Sequence, residues 1–469
     1  VKRRSAVVVL VGAMVMASAC GSRATSEQRA LARSVGLSAS AGSNPRASTA
    51  DSATPTTAVL SGDASTPGAA PGPAGQTGGQ PTATQSQCQN KGATDTGVTN
   101  SQITFGNVAT LSGPVPGIFQ GAQIGAQAVA AYQNSRGGIC GRQLKLALRD
   151  DKFDSGQNRA QTIDLIDETF GFVGSFSLYD DAAAAEVGRS GMPDMVVAIT
   201  SARRSLANNF PVAPQIPGGA PLGPYNYLKE KHPAAINAVG ALWADVGSST
   251  QVIEHGNEAA ASSVGFKIVY SRGYTATETD FTADVVRMRQ NGVRMVMLQG
   301  ADPKATARIT AAMAQQGFKP DVVFSGAQAY DPATISLGGG NVEGLVILQT
   351  LSLFAGEDSS IGEIALMNQW VQKVKPGFKT DLFTMYGWAE GRLLFQAMQA
   401  AGADLTRANV ATELRKIHQF DGNGLLAPAD PAGKGPATCF LAATIKGGKF
   451  VRSAPSSGYI CDKGGYYKP

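Results

Sequence analysis

Histidine is scarce. His232, His255 and His418 are the only three in 469 residues, they stand far apart, and no Cys-x-x-Cys pair accompanies them. A zinc site needs four nitrogen or sulfur donors at short spacings, so no metal is expected. There is also no Gly-x-Ser-x-Gly elbow, and no histidine lies in a recognisable catalytic motif. An exported hydrolase is therefore disfavoured, and no catalytic residue or cofactor is assigned. A phosphate-cradling P-loop is missing, so any ATP-driven step must belong to another protein. Positive charge exceeds negative by only five, and three of the cations, Lys2, Arg3 and Arg4, sit at the start. Without a concentrated basic face, nucleic-acid binding is not expected.

What is present begins with an export signal. The three cations precede an apolar stretch from Ala6 to about Ala17, then Ala17-Ser18-Ala19-Cys20. The stretch is well short of the ~20 residues that a spanning helix needs. Residues 1–20 are thus read as a removable signal. Cysteine directly after small residues resembles the bacterial lipobox, with Ala17 where leucine is usual, which makes Cys20 the expected lipidation site and the outer face of the cell membrane the expected location. From residue 21 to 87, Ala, Ser, Thr, Gly and Pro dominate. Such a segment buries too little apolar surface to offset its chain entropy and is expected to be a disordered tether. As a flexible coil of roughly 65 residues it would span on the order of 45 Å.

The remaining length of about 380 residues exceeds one ordinary core and suits two lobes. Strand and helix patterns alternate along it: strands at Ile103–Val108, Leu144–Leu148, Gly171–Gly174 and Met195–Ile199, helices at Phe119–Asn134, Gln157–Glu168 and Asp181–Ser190. After a Pro/Gly-rich loop, Pro211–Pro224, a second series follows. Its strands are expected at Ile236–Leu242, Phe266–Tyr270, Arg294–Leu298, Val322–Phe324 and Leu345–Leu348, with helices at Phe281–Gln290, Pro303–Gln316 and Pro332–Leu337. The fold class is therefore α/β, two doubly wound lobes facing a cleft. The expected division is 88–218 for lobe 1, 219–348 for lobe 2, 349–424 returning to lobe 1, and a tail, 425–469, packing on lobe 2. Crossings are expected near Pro211–Pro224, Leu348–Leu351 and Gly422–Gly424. Cys88, Cys140, Cys439 and Cys461 form an even set that permits three disulfide pairings. Cys88 with Cys140 and Cys439 with Cys461 are favoured, since each partner is the nearest in this fold.

Four segments then carry a family resemblance: Ile103–Pro114 (ITFGNVATLSGP), Asn134–Ala160 with its Gly-Gly-Ile-x-Gly turn and paired Asp150 and Asp151, Asp331–Leu348, and Asp381–Gly402. In this order they resemble leucine/isoleucine/valine-binding proteins, the type I periplasmic binding proteins of ABC transporters. The resemblance implies Asp150 and Asp151 are structural rather than an acid/base pair. Gly338, Gly339, Gly340 and Gly344 lack the Gly-x-Gly-x-x-Gly spacing and follow a helix, so a dinucleotide loop is discounted.

Ligands of doubly wound sheets bind outside the carboxyl ends of the strands. Ser112 and Phe119 follow the first strand; Ser175, Ser177 and Tyr179 follow Gly174; Thr200 and Ser201 match the position where the family contacts a ligand carboxylate. Ser hydroxyls and N–H groups at a helix start suit an anion, although Asp180 and Asp181 oppose one. Arg203 and Arg204 are expected as a solvated surface pair. In the second series the candidates are Gln299, Asp302, Gln328 and Tyr330. Gln328 stands where the family carries a glutamate for a ligand ammonium, so an α-amino acid is not favoured over amides, organic acids or other small polar solutes. The resulting expectation is a monomeric, lipid-anchored solute-binding protein serving an ABC permease. A sensor lipoprotein of the same fold is the second reading.

Overall fold

The computed structural model describes residues 88–469; the export signal, Cys20 and the 21–87 tether lie outside the described residues. Two separate parallel-stranded sheets carry the architecture. In the first, β1 (Gln102–Ala109), β2 (Gln143–Asp150), β3 (Phe172–Val173) and β4 (Asp194–Met195) lie in the order β2-β1-β3-β4, all parallel. They are connected by α1 (Gln120–Ser135), α2 (Ser155–Glu168) and α3 (Ala184–Ser190), and a short helix, α4 (Ser201–Arg204), follows β4.

A short strand, β5 (Ala220–Pro221), and α5 (Gly223–Lys231) open the second unit. There β6 (Val239–Ala244), β7 (Ile268–Tyr274), β8 (Met295–Gln299), β9 (Val322–Ser325) and β10 (Val346–Gln349) alternate with α6 (Ser248–Ser263), α7 (Thr282–Gln290), α8 (Pro303–Gln315) and α9 (Pro332–Gly338). Helices α10 (Gly362–Val374), α11 (Leu382–Ala401) and α12 (Arg407–Leu414) come next. The antiparallel pair β11 (Leu441–Lys446) and β12 (Lys449–Ala454) completes a seven-stranded sheet ordered β12-β11-β10-β9-β8-β6-β7, and β13 (Tyr466–Tyr467) pairs with β5.

Helix α11 returns to the first sheet and packs on α1 through small residues. A Cβ on Gly387 would stand 2.3 Å from the Ala122 carbonyl oxygen, and one on Gly125 would stand 2.1 Å from that of Thr384. Only glycine permits this backbone approach. Asp381 caps α11 by accepting from Thr384 N at 2.7 Å, which fixes where the helix begins.

The passages between the sheets are also bonded to each other. Leu351 and Leu426 form an antiparallel bridge, with Ala427 N donating to Thr350 O and Ser352 N to Leu425 O. The chain then stays near first-sheet elements, Lys434 Nζ donating to the Arg204 and Leu206 carbonyls at 2.6 Å, before entering the larger sheet at Leu441. Cys88 pairs with Cys140 and Cys439 with Cys461, as favoured from the sequence.

Three differences from the sequence expectation have physical causes. The strand expected at Met195–Ile199 leaves the sheet after Met195, because side chains take its N–H groups: Glu390 accepts from Val197 N, and Asp180 from Ile199 N and Thr200 N. With Asp180 turned inward, the helix expected from Asp181 begins only at Ala184. The tail, 425–469, for which no strand is expected, contains the β11–β12 hairpin, turning at Gly447 and Gly448, both at positive φ.

Candidate ligand-binding cleft

The loops beyond the carboxyl ends of the strands in both sheets border one cavity of about 440 Å³. The first sheet contributes Phe119 after β1, Phe176 and Leu178 after β3, and Val197 to Ile199 after β4. The second contributes Val246 and Thr250 after β6, Gly300 and Asp302 after β8, and Gln328 and Tyr330 after β9. Helix α11 supplies Phe383 and Tyr386. A volume of this size suits a small organic molecule.

One wall is aromatic. The Phe119, Phe176 and Phe383 rings meet with centroids 4.7 to 4.8 Å apart, and Tyr386 stacks parallel to Phe176 at 6.4 Å. Packed in this way the rings hold one another in place and present a fixed apolar surface.

The expected site residues divide into two groups. Phe119, Asp302, Gln328 and Tyr330 border the cleft, and Gln299 with Gln328 borders an adjoining cavity. Asp302 also caps α8, accepting from Ala305 N at 2.7 Å, and the Tyr330 hydroxyl donates to Glu357 and accepts from Ala355 N. By contrast Ser112, Ser175, Ser177, Tyr179, Thr200 and Ser201 border neither cavity. Ser112 Oγ donates to Asp150 at 2.6 Å, Ser175 Oγ accepts from Val108 N at 3.1 Å, and Ser177 Oγ donates to Asp151. Thr200 caps α4 through Arg203 N, Ser201 is exposed on that helix, and Tyr179 packs edge-on against Phe153. These hydroxyls hold loops in shape. Asp150 and Asp151 receive backbone and side-chain donors of their neighbours, in keeping with a structural role.

The expectation of a solvated arginine pair is corrected. Arg203 is 3% exposed and makes two bonds to buried Asp194, at 2.8 and 2.7 Å. Arg204 is buried as well, donating to the Ala198 and Ile199 carbonyls and bordering the cleft. The buried Asp194 carboxylate holds the Arg203 side chain inward, and the Ala198 and Ile199 carbonyls hold that of Arg204.

Sequence reasoning missed Glu254, on α6. It is 6% exposed, borders both cavities, and accepts from Asn257 Nδ2 at 3.0 Å, with the Gln299 side-chain amide 2.9 Å from the same oxygen. Burial pushes its carboxyl up to about 7, with Glu258 adding like-charge repulsion. The available signal was the end of β6: had that strand been carried to Ala244, the helix after it would have been a candidate.

Residues 102–449 match the family described as periplasmic binding protein. The chain belongs to the periplasmic binding protein family. The family implies an extracytoplasmic location. The chain is 26% identical over 330 residues to "Leu/Ile/Val-binding protein homolog 2" of Brucella abortus, covering 69% of this chain and 85% of that protein. It is 27% identical over 291 residues to an "Amino acid binding protein" of Pseudomonas aeruginosa, covering 60% and 74%. Among solved structures, a fatty acid ABC transporter substrate-binding protein from Thermomonospora curvata superimposes with TM-score 0.66 at 18% identity, over 80% of this chain and 95% of that one. A branched chain amino acid ABC transporter protein from Thermus thermophilus with bound valine also gives 0.66, at 16% identity, over 77% and 97%. At such identities these structures establish the type I fold of this binding protein and nothing about its solute.

Proposed function

We propose that this periplasmic binding protein captures a small organic solute in the 440 Å³ cleft and delivers it to an ABC importer. The observation that carries this reading is that strand-end loops of both sheets border the same cavity, so a solute there touches both units at once. An open form binds the solute to one unit, contacts from the other stabilise closure, and the closed form docks on a permease. Phe119, Asp302, Gln328 and Tyr330 are the sequence-identified contacts, joined by Glu254 and Arg204. The chain acts as a monomer held to the membrane by lipid on Cys20. Among the described residues no helix is long and apolar enough to cross a membrane. The relatives' names point to branched-chain amino acids as the first solutes to try; amides and organic acids complete the panel.

Mass spectrometry of solute released from the purified protein, followed by scattering with and without that solute, tests the reading. The expected result is one small molecule per chain and a smaller radius of gyration when it is bound. A protein whose melting and dimensions respond to no member of the panel would overturn it. Labelling by a radiolabelled fatty acid that disappears in Cys20→Ser tests the anchor.

A further inference from the structure

Beside the cleft lies a second cavity of about 260 Å³, with Ile216, Met297, Phe324 and Leu348 among its walls. The two cavities share Gln215, Ile253, Glu254, Gly300, Gln328 and Tyr386, so these six form the neck between them. Glu254 makes no ion pair with any described residue, and the charge that acts on it, Glu258, has the same sign. The other ionisable groups of the second cavity are Tyr225, Tyr386 and Tyr466. Those of the cleft, beyond the shared Tyr386, are Arg204, Tyr274, Asp302, Lys304, Tyr330, Asp331 and Asp381. His255 on the same helix is exposed and lies against Glu258 instead. A carboxylate at this depth without a cation is unfavourable, and a positive ligand group placed beside it would relieve that cost. The second cavity has no cationic side chain, so a chain ending in a carboxylate would find no partner there.

We propose that the solute is an elongated amine, whose ammonium pairs with Glu254 at the neck and whose apolar chain extends into the 260 Å³ cavity. This rests on the solute-binding reading above and names the class of its ligand.

Calorimetry on the full-length protein tests it, with octylamine, butylamine, octanoate, octanamide and leucine as probes. Octylamine is expected to bind at least tenfold more tightly than octanoate or leucine. Glu254→Gln, which keeps the side chain's shape and its bonding to Asn257, is expected to lose at least tenfold for octylamine and little for octanamide. Ala437→Phe, which fills the second cavity, is expected to weaken octylamine more than butylamine, giving a readout that does not depend on the carboxylate. With the Glu254 carboxyl pushed up to about 7, octylamine binding should weaken as pH falls from 8 to 5, by up to about 100-fold, because protonation removes the charge that holds it. Equal binding of octylamine and octanoate, or indifference to Glu254→Gln, overturns the amine assignment. Tight binding of leucine or octanamide in its place leaves solute capture standing while the amine assignment fails. No response to any probe, nor to the wider panel of amino acids, amides and organic acids, defeats both.

Discussion

Replacing Arg203 with methionine should be among the most damaging single changes in the first unit. Arg203 and Asp194 are 3% and 0% exposed along their side chains, and the guanidinium bonds the carboxylate twice, at 2.8 and 2.7 Å, while lying over the Phe172 ring. Without the guanidinium, Asp194 keeps Asn209 Nδ2 at 3.0 Å as a side-chain donor and the charge of Lys434, but no cation bonded to it. Breaking a buried pair from one side costs about 3–5 kcal/mol, because the surviving charge is stranded. Asp194→Asn takes the bonded partner from the guanidinium and leaves it only the charge of Asp180. The double change removes both members of the pair and leaves Asp180 with Arg204, so it should cost less than the two single changes together, by about 2 kcal/mol or more. Urea unfolding of the four proteins at pH 7 supplies the cycle. The same residues anchor β4 and α4, which carry Val197, Ile199 and Arg204 to the cleft wall, so solute affinity should fall in Arg203→Met as well. A single-variant cost below about 1 kcal/mol, or strict additivity in the double variant, would refute the argument that charge burial governs this region.

Three other perturbations give separate checks. Gly387→Leu places a Cβ 2.3 Å from the Ala122 carbonyl oxygen and should prevent α11 from docking on α1, seen as loss of the cooperative unfolding transition. Replacing the cysteines of each disulfide by serine should lower stability by about 4 kcal/mol for Cys88–Cys140 and about 3 kcal/mol for Cys439–Cys461, since the first closes the longer loop, 52 against 22 residues; urea unfolding reports the order. Burial raises the Glu390 carboxyl well above its ordinary value, so its contribution to stability is fully present below about pH 4.5 and is lost as pH rises toward the folded-state value. Glu390→Gln should therefore flatten the fall in stability between pH 5 and pH 8, and an unchanged pH profile would count against it.

The alternation of strand and helix was legible because most parallel strands here are short apolar runs, and the expected positions of β8, β9 and β10 lie within a residue or two of those observed. Helix α6 was not legible: Ser248 to Gln251 and Gly256 weaken its pattern, and Gly256 is present because a Cβ there would strike the Gly218 carbonyl oxygen at 2.3 Å. Losing that helix meant losing Glu254. The serine and threonine candidates rest on being hydroxyls at strand ends and, for Thr200 and Ser201, on the family resemblance; in the structure several are bonded within their loops, as Ser177 is to Asp151. Pattern tells which loops face the gap but not which way each hydroxyl turns, since that depends on carboxylates distant in sequence. The inward turn of Arg203 depends likewise on Asp194, whose own place in the chain reads as the start of an ordinary strand.

The late hairpin has a bearing on how such a chain is made. Because β11 lies against β10 and β12 against β11, the larger sheet cannot be finished until almost the whole polypeptide has been released, and the separate pair in which β13 clasps β5, nearly 250 residues earlier, closes later still. The first unit waits similarly for α11 to settle on α1. A chain emerging amino-end first would thus expose no self-sufficient half during its synthesis, and would remain threadable until its last strands arrive.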